Sequence, residues 1–470
     1  MYDNNCTHCI QFKTENHKYL YYSDSRAIFN SNISQDRESF LKKYALIKDN
    51  SFFDIKEVTQ DEVKKEIYAV GLTELILDVT TQCNLRCEYC IFGGNYDFSR
   101  IHSNDFMTFE TAKKAIDWYY HYLFEASSYN PYRTPVVAFY GGEPLLNFEL
   151  IKFCVNYIKG KYRKQNTYFT LTTNGTLLSD EIISFLVQEN IHPIVSLDGP
   201  KSEHDRNRIF PNGVGTFDTI YKNITKLYDR QKEPITTILV YDIRTDLQKV
   251  ANFIDNETKI VCINSVPVKS YNTDYYQKFT SEEKQRFLKS EKKLRDYFFT
   301  KVLGNNDMMF SFANRYFVDR CLPFINNRVD ANPVNPRLIK MTGACIPGNK
   351  ISVSVDGTFH MCEKISRQFP IGDVNDGLDF KQITQLVNDY NRATKSCINC
   401  NFRNSCSNCE VVLESNNCFK VNLENCAAYK RSFMEDLTFA YTILEKNPMW
   451  THESISKYYK ELQEMVVRFK

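Results

Sequence analysis

The sequence Cys83-Asn-Leu-Arg-Cys87-Glu-Tyr-Cys90 decides how the rest of the chain is interpreted. It directly follows an apolar run, 75–79, that has the composition of a buried strand. Three cysteines at C-x3-C-x2-C spacing can place three thiolates on three corners of a cubane iron–sulfur cluster. Four cysteines would close such a cluster, whereas three leave one iron open to a ligand that is not a protein side chain. The stretch therefore predicts an open-site [4Fe–4S] cluster at the end of a strand.

The spacing of these cysteines resembles the signature of the radical S-adenosylmethionine (SAM) enzymes. The resemblance implies that the open iron chelates the amino and carboxylate groups of SAM, and that the backbone of Tyr89 contacts its adenine. The alternatives are three unlinked thiols or a structural zinc site. Zinc sites prefer four ligands in C-x2-C pairs, and no His or Cys follows this stretch closely enough to complete one.

Composition and charge limit the kind of protein that this chain can be. Its 470 residues suggest about two to four domains, and 43% of them are hydrophobic, which is enough for more than one core. The formal net charge of +2 argues against a nucleic-acid partner held by electrostatics. Residues 1–18 lack the apolar stretch of a signal peptide, and no apolar run is long enough to cross a membrane. Sixteen cysteines in such a chain indicate a cytoplasmic metal protein rather than a disulfide scaffold.

Residues 74–265 repeat a strand that is followed by a helix. The predicted strands are 74–80, 136–140, 168–173, 193–197, 236–241 and 260–264, and the predicted helices include 108–124, 148–161, 179–189 and 214–227. Strands that alternate with helices form a parallel sheet, and six such units are too few for a closed eight-stranded barrel. The predicted fold class is therefore α/β, with the partial (βα)6 TIM barrel of the radical SAM type.

Polar segments follow the second, third and fourth strands, where α/β barrels place their chemistry. The segments are Gly141-Gly142-Glu143-Pro144, Thr172-Thr173-Asn174-Gly175, Ser196-Leu197-Asp198-Gly199 and His204-Asp205-Arg206-Asn207-Arg208. The resemblance implies that the first segment binds the SAM amino group, with two glycines that let the backbone approach the ligand closely. It implies that the second and third contact the ribose and carboxylate. Arg208 is then the guanidinium that pairs with the SAM carboxylate.

A second cysteine-rich region lies towards the end of the chain. Cys345 precedes a predicted hairpin that ends at Cys362, and the turn between its strands brings these two cysteines near each other. The remaining cysteines of this region are Cys397, Cys400, Cys406, Cys409, Cys418 and Cys426. The region resembles a SPASM domain, the C-terminal extension of radical SAM enzymes that carries two auxiliary [4Fe–4S] clusters.

The resemblance implies a ligand set for each auxiliary cluster. The distal cluster would be held by Cys397, Cys400, Cys406 and Cys426, and the proximal cluster by Cys345, Cys362 and Cys409. No cysteine has the family spacing for a fourth proximal ligand, so either one iron is open or Cys321 or Cys418 completes the set. A zinc ribbon built from the two C-x2-C pairs is the alternative for this region.

Residues 1–72 precede the barrel and are predicted to form a small winged-helix-like module. Predicted strands 19–22 and 26–29 accompany predicted helices 39–44 and 59–67, the latter with a capping box formed by Thr59 and Glu62. The module resembles the domains that bind a leader peptide by adding it to a sheet edge. The alternative is an extension that covers the barrel. Cys6 and Cys9 are predicted to be free thiols.

The predicted organisation is then a leader-recognition module at 1–72, the radical SAM core at 73–310, a connection at 311–340, the SPASM domain at 341–430 and C-terminal helices at 431–470. The resemblance implies an enzyme with SAM and three [4Fe–4S] clusters, reduced by a donor such as flavodoxin or ferredoxin. Its predicted reaction is a thioether cross-link, from a cysteine sulfur to carbon, in a ribosomally made precursor peptide that binds through its leader.

Three other functions stay open at this point. One is a C–C or C–O peptide cross-link on the same scaffold. Another is anaerobic sulfatase maturation, in which a Cys or Ser is oxidised to formylglycine, although the long segment before the cysteine loop argues against it. The last is a metal-binding regulator of DNA, which the nearly neutral charge disfavours.

Overall fold

The computed structural model describes residues 9–22, 27–31, 57–97, 99–304, 312–313, 315–317, 339, 341, 345–406 and 408–450. Its strands are β1 (Cys9–Lys13), β2 (Lys18–Tyr22), β3 (Ala27–Asn30), β4 (Glu74–Thr80), β5 (Val136–Gly141), β6 (Tyr168–Thr173), β7 (Ile191–Ser196), β8 (Ile235–Tyr241), β9 (Ile260–Pro267), β10 (Lys350–Val353), β11 (Thr358–His360), β12 (Gly372–Asp373), β13 (Gly377–Leu378), β14 (Glu414–Ser415) and β15 (Cys418–Phe419). Its α-helices are α1 (Gln60–Val70), α2 (Phe109–Glu125), α3 (Phe148–Lys161), α4 (Asp180–Gln188), α5 (Lys201–His204), α6 (Phe217–Gln231), α7 (Leu247–Asn256), α8 (Ser281–Leu303), α9 (Phe380–Ala393), α10 (Glu410–Leu413) and α11 (Leu423–Lys446).

Six parallel strands form the centre of the molecule. They pair in the order β4-β5-β6-β7-β8-β9, with helices between successive strands. Each of the six strands and each of the four helices predicted above is present, with ends that differ by a few residues. The predicted partial (βα)6 barrel is therefore confirmed.

The hairpin of the second cysteine-rich region belongs to the same sheet as the barrel. β10 pairs in parallel with β4, so that Ser352 lies beside Ile76, and the full sheet runs from β13 to β9 through ten strands. Ile351 and Val353 are fully buried in the same core as Leu75. Pairing with β10 also covers the backbone of β4, which would otherwise be an exposed sheet edge. The hairpin thus fixes one end of the C-terminal region directly to the strand that leads into the cysteine loop.

Helix ends in the structure follow the caps that the sequence predicts. Thr59 and Glu62 form a capping box at α1, and Thr280 with Glu283 forms another at α8. Ser179 accepts a hydrogen bond from the backbone of α4, as expected of an N-cap. Within the described ranges, no helix is both long and apolar enough to cross a membrane.

The N-terminal strands form a separate antiparallel sheet in the order β1-β2-β3, of which β1 was not predicted. This sheet packs on α11, with Tyr21 fully buried against Phe433 at a ring distance of 5.3 Å. The predicted helix 39–44 lies outside the described residues. Cys9 is in a disulfide bond, so the prediction of a free thiol there is wrong. Cys6 lies outside the described residues.

Helix α1 packs at a different place from the N-terminal sheet. Val58 and the side chain of Asn388 on α9 exchange two hydrogen bonds, at 2.8 and 3.2 Å. Val63 and Ile67 are buried in the barrel core. Residues 57–72 therefore contribute to the barrel, while β1, β2 and β3 contribute to the surface of α11.

Candidate functional site

The cysteine loop begins where β4 and β5 separate, and two backbone hydrogen bonds hold it there. Gly142 N donates to Thr80 O at 2.9 Å, and Glu143 N donates to Gln82 O at 2.8 Å. A Cβ atom at Gly141 or Gly142 would lie 2.2 or 2.1 Å from these carbonyl oxygens. The glycines thus let the end of β5 approach the start of the cysteine loop. Their contact with SAM stays a prediction.

A network of amides and a carboxylate joins the loop to the end of β6. Asn174 Nδ2 donates to Asn84 Oδ1 at 2.9 Å, and Asn84 Nδ2 donates to Thr176 Oγ1 at 2.9 Å. The buried Glu143 carboxylate accepts from Thr173 Oγ1 and from Asn174 N, both at 2.7 Å. The structure therefore brings Glu143, Thr173 and Asn174 together as predicted. Asn84 was missed by the sequence reasoning, although it lies inside the cysteine motif.

The opposite side of the loop pairs with the segment that contains Arg208. Arg86 N donates to Ile209 O at 2.8 Å, and Glu88 N donates to Asn207 O at 3.0 Å. Cys87 lies between these two bonds, on the stretch that faces Arg208. The pKa of Cys87 is raised to about 11 by burial, and the Arg208 guanidinium is the largest effect that opposes this rise.

Tyr89, Asp198 and Arg208 form a buried hydrogen-bonded triad. Arg208 Nη1 donates to Tyr89 Oη at 2.8 Å, and that hydroxyl donates to Asp198 Oδ2. Asp198 Oδ1 also accepts from Val240 N at 3.0 Å. Burial raises the pKa of Asp198, while the nearby guanidinium lowers it. Tyr89 was predicted to act through its backbone, and the structure adds this role for its side chain.

His204 holds the Arg208 segment in place. Asp198 N donates to His204 Nδ1 at 3.2 Å, which leaves the proton on Nε2 to be donated to Thr216 Oγ1 at 2.9 Å. The Thr216 hydroxyl in turn donates to Arg208 O at 2.9 Å. Burial keeps the pKa of His204 well below its usual value, so the imidazole is neutral. Its role here is to position the backbone on either side of it.

Ser196 is the last residue of β7 and is half-buried beside Ile238.

The three thiols of the loop are electrostatic neighbours in a largely buried environment. Burial raises the pKa of Cys83 to about 12, and the thiolates of Cys87 and Cys90 contribute to the rise. Such groups become thiolates only when cations compensate their charge, as iron does. In the described part of the chain, no three His, Cys, Asp or Glu side chains lie close enough together to hold a single metal ion. The irons of a cubane are ligated at separate corners, so each cysteine of the loop would ligate a different iron.

His102 contacts the cysteine loop and was not found by the sequence reasoning. Its Nδ1 donates to Thr81 O at 3.1 Å, and its Nε2 lies 3.6 Å from Cys90 Sγ. Twelve residues separate His102 from Cys90, and no motif marks it. Its place beside the sulfur follows from the return of the loop to the end of β4.

The second cysteine-rich region gathers its thiols into two groups. The pKa of Cys406 is raised to about 11 by burial and by the thiolates of Cys426, Cys397 and Cys400, so these four lie in one neighbourhood. Their role as ligands of one cluster stays a prediction. Cys362 and Cys409 form the other group, since each thiolate affects the pKa of Lys269 and of Tyr271.

The remaining cysteines of the predicted ligand set lie at the surface or outside the described residues. Cys345 is exposed at the start of the hairpin. Cys418 is also exposed, and its thiol donates to Ser415 O at 2.8 Å within its own turn. Cys321 lies outside the described residues. The assignment of a fourth ligand to the Cys362 group stays a prediction.

A family model described as the radical SAM superfamily matches residues 77–256. This chain therefore contains a radical SAM domain and is a radical SAM enzyme. The matched stretch begins in β4 and ends at the last residue of α7, so it contains the cysteine loop and every strand-end segment through Arg208. The domain implies the use of SAM and of a [4Fe–4S] cluster.

Two curated relatives and one solved structure extend the comparison. A cysteine-type anaerobic sulfatase-maturating enzyme from Clostridium novyi is 25% identical over 72% of this chain and 85% of its own length. The radical SAM cyclopropyl synthase TigE from Paramaledivibacter caminithermalis is 28% identical over 39% of each chain. The solved structure of native anSMEcpe with bound AdoMet and Cp18Cys peptide superposes with a TM-score of 0.55 at 21% identity, over 80% of this chain and 99% of that one. That likeness shows the fold, and the cysteine-rich C-terminal region fits a radical SAM enzyme of the SPASM type.

The residues of this radical SAM enzyme fit the group that the family binds. We expect Cys83, Cys87 and Cys90 to supply the three thiolates for the cluster. Arg208 Nε is buried without a hydrogen-bond partner in the structure, as expected of a guanidinium that faces an absent carboxylate. We expect the SAM carboxylate to bind there, with Tyr89 and Asp198 fixing the guanidinium.

Proposed function

We propose that this enzyme forms a thioether between a cysteine sulfur and a carbon atom of a ribosomally made precursor peptide. One observation carries the proposal. Burial raises the pKa of Tyr140 on β5, and the charges of the Glu363 carboxylate, which directly follows Cys362, and of the Cys90 thiolate add to the rise. A peptide beside Tyr140 would therefore lie near the SAM-binding cluster and near the second group of cysteines.

The reaction must remove two hydrogens from the peptide. SAM and its cluster supply a 5′-deoxyadenosyl radical, which takes one hydrogen atom from carbon and leaves as 5′-deoxyadenosine. The thiol loses a proton, the C–S bond forms, and one electron remains to be accepted. The cysteine groups at Cys362 and Cys409 and at Cys397, Cys400, Cys406 and Cys426 suit two auxiliary [4Fe–4S] clusters that could accept it.

The N-terminal sheet is the proposed site for the leader of the peptide. Its strands have the order β1-β2-β3, and Ile28, Phe29 and Asn30 of β3 are half-buried. Leader-binding modules take an extended peptide onto a sheet through main-chain hydrogen bonds. Flavodoxin or ferredoxin is the proposed electron donor.

Sulfatase maturation is the second candidate, and the comparisons favour it. The Clostridium novyi relative with that activity covers most of this chain, and the similar solved structure contains a cysteine peptide. The two reactions differ in their products. Thioether formation removes two hydrogens and retains sulfur, whereas formylglycine formation from cysteine replaces sulfur with oxygen.

The test is an incubation of reconstituted enzyme with SAM, a reductant and a pool of short synthetic peptides that each contain one cysteine. We expect 5′-deoxyadenosine together with peptides that have lost two hydrogens and no longer react with a thiol reagent. Products that contain an aldehyde would establish the second candidate. Release of 5′-deoxyadenosine with no peptide change would contradict the proposed peptide chemistry.

A further inference from the structure

The strands of the barrel present alternate residues to its interior. Leu75, Leu77 and Val79 of β4 are buried in the core that faces the helices. Their neighbours Ile76 and Asp78 therefore face the opposite side, towards the interior of the barrel. Asp78 lies beside Tyr140 of β5 in the strand register.

The C-terminal hairpin extends this interior surface. The ring of Phe359 lies 4.5 Å from that of Trp118 on α2, on the helix side of the sheet. His360 is the next residue of β11 and so faces the interior, where it pairs in register with Ser352. The barrel interior is thus lined on one side by the hairpin of the second cysteine-rich region.

His360 has a buried nitrogen without a hydrogen-bond partner. Only 5% of the residue is exposed. Its Nε2 lies 3.5 Å from Ser354 Oγ, whose own proton is donated to Asp356 Oδ1 at 2.6 Å. Nε2 is then the donor of that weak contact, and Nδ1 is left as an acceptor that nothing in the structure satisfies. An unsatisfied buried acceptor destabilises a fold, so its presence requires an explanation.

Glu363 adds a second acceptor close to the first. Its Oε2 is buried without a partner, and its Oε1 is 3.7 Å from Lys364 Nζ. The same carboxylate is near enough to raise the pKa of Asp78 and of Tyr140. Among the described residues, Tyr140 Oη makes no hydrogen bond. Three polar groups with unused bonding capacity therefore line the interior between Cys90 and Cys362.

The charges around these groups indicate what kind of donor they would bind. Asp78 is already paired with Arg100, which also stacks on Phe92 at 3.9 Å. Lys364 lies close to Glu363. The charge of the Arg367 guanidinium lowers the pKa of both Asp78 and His360. The carboxylates are thus balanced by cations that the chain itself supplies. A cationic ligand would add unbalanced charge, whereas a neutral amide N–H would satisfy the free acceptors.

We propose that His360 and Glu363, with Tyr140 opposite, form a subsite that binds backbone amide N–H groups of the peptide segment being modified. The subsite rests on the proposed function, since it requires a peptide in the barrel interior. It would hold that segment between the two groups of cysteines, and it would explain why unpaired acceptors are retained there.

Two matched pairs of variants test the subsite. H360Q keeps a polar group near the position of Nε2 and loses the acceptor at Nδ1, whereas H360N keeps an acceptor near Nδ1. E363M removes both carboxylate oxygens at similar volume, whereas E363Q keeps one oxygen. The probe is the pool of short cysteine peptides, with amide-to-ester analogues of any peptide that is modified. Peptide product is normalised to the 5′-deoxyadenosine that each variant releases without peptide.

We expect H360Q and E363M to lose at least about tenfold in normalised product, and H360N and E363Q to lose less. An ester at one position of the peptide should reduce its modification by wild type, because the ester lacks the N–H that the subsite binds. The same ester should not reduce modification by H360Q or E363M further, because these variants lack the acceptor for that N–H. Equal losses in both members of each pair, or ester effects that persist in the variants, would overturn the subsite.

Thermal unfolding separates failure of the subsite from failure of the proposed function, since it needs no peptide. If His360 and Glu363 are kept for a ligand, E363M and H360Q should melt at the wild-type temperature or above it. A clear fall in melting temperature would show that these side chains serve the fold and would overturn the subsite. Absence of any peptide product from wild type would instead contradict the proposed function alone.

Discussion

Arg208 donates from Nη1 to Tyr89 Oη at 2.8 Å, so that an aromatic side chain of the cysteine loop orients a guanidinium from the segment that follows β7. The Tyr89 hydroxyl donates onward to Asp198, and each of the three groups is buried. Because Arg208 Nε has no partner, the guanidinium is fixed at one end and open at the other. This is the geometry expected of a preformed carboxylate site.

The first prediction concerns this pairing. Replacing Tyr89 with Phe should weaken SAM binding about tenfold, because loss of one hydrogen bond to a charged group costs about 1.4 kcal/mol and frees the guanidinium to rotate. Titration calorimetry of reconstituted enzyme with SAM measures the effect. Tyr96→Phe is the matched control, since the Tyr96 hydroxyl reaches only backbone carbonyl oxygens, those of Tyr89 and Lys269, each at 3.4 Å. Equal dissociation constants for wild type and Tyr89→Phe would refute the orienting role.

The sequence predicted the barrel well because periodicity and strand-end motifs are local properties. The capping box at Thr59 and the strand that ends at Thr80 were predicted from a few adjacent residues. The pairing of β10 with β4 could not be predicted, because it joins residues more than 270 positions apart. The sequence of neither strand identifies the strand with which it pairs. His102 was missed for the same reason, since only the folded loop brings it to Cys90.

The second prediction concerns the cluster itself. Replacing Cys83, Cys87 and Cys90 with Ala should abolish 5′-deoxyadenosine formation and lower bound iron by about four atoms per chain, while iron held by the C-terminal cysteines remains. Iron and sulfide analysis with a SAM cleavage assay measures both effects. The double replacement of Cys154 and Cys262 is a control, because both thiols are buried in the core. Persistent SAM cleavage by the first variant would disprove the central assignment.

The third prediction concerns acid stability through His192. Its pKa is lowered from 6.5 to about 4 by burial, and its Nε2 lies 2.8 Å from Thr236 Oγ1. The unfolded chain therefore takes up a proton at a higher pH than the folded chain does. Between pH 6.5 and 4 this group should lower the free energy of unfolding as the pH falls, by at most about 1.4 kcal/mol per pH unit.

The His192→Gln variant should consequently lose less stability than wild type over that pH interval. Urea unfolding at several pH values measures the difference, and comparison of the two proteins cancels the contribution of buried carboxylates such as Asp78. His121→Gln, on the exposed face of α2, should follow wild type. Parallel curves for wild type and His192→Gln would contradict the prediction.

The fourth prediction concerns the N-terminal sheet and the leader. Glu445 of α11 accepts hydrogen bonds from Thr14 at 2.6 Å, Tyr19 at 2.8 Å and Asn16 at 3.0 Å, and so fastens the β1–β2 turn. Glu445→Ala should increase proteolysis within residues 1–31 and weaken binding of a leader peptide. Glu435→Ala, an exposed position on the same helix, is the control.

Deletion of the sheet is a stronger form of the same experiment. The deletion should end at residue 56, because Val63 and Ile67 of α1 are part of the barrel core. We expect leader affinity to fall while SAM cleavage without peptide persists. Equal leader affinity with and without residues 1–56 would show that the sheet does not bind the leader and only covers the surface of α11.

The last prediction concerns the group of Cys362 and Cys409. We expect the proximal cluster to have Cys345, Cys362 and Cys409 as its protein ligands, with one iron open for the thiolate of the peptide, since thiolate is a good ligand for iron. Cys418 is the alternative ligand, but its thiol donates to Ser415 O at 2.8 Å within its own turn. Cys418→Ser should therefore leave iron content and cluster spectra unchanged, whereas Cys409→Ala should lose iron.

Iron-centred spectroscopy with and without a cysteine peptide should show a new sulfur ligand only when the peptide is present. Four protein sulfurs in the free enzyme, unchanged by peptide, would exclude thiolate capture and leave this cluster a role in electron transfer alone.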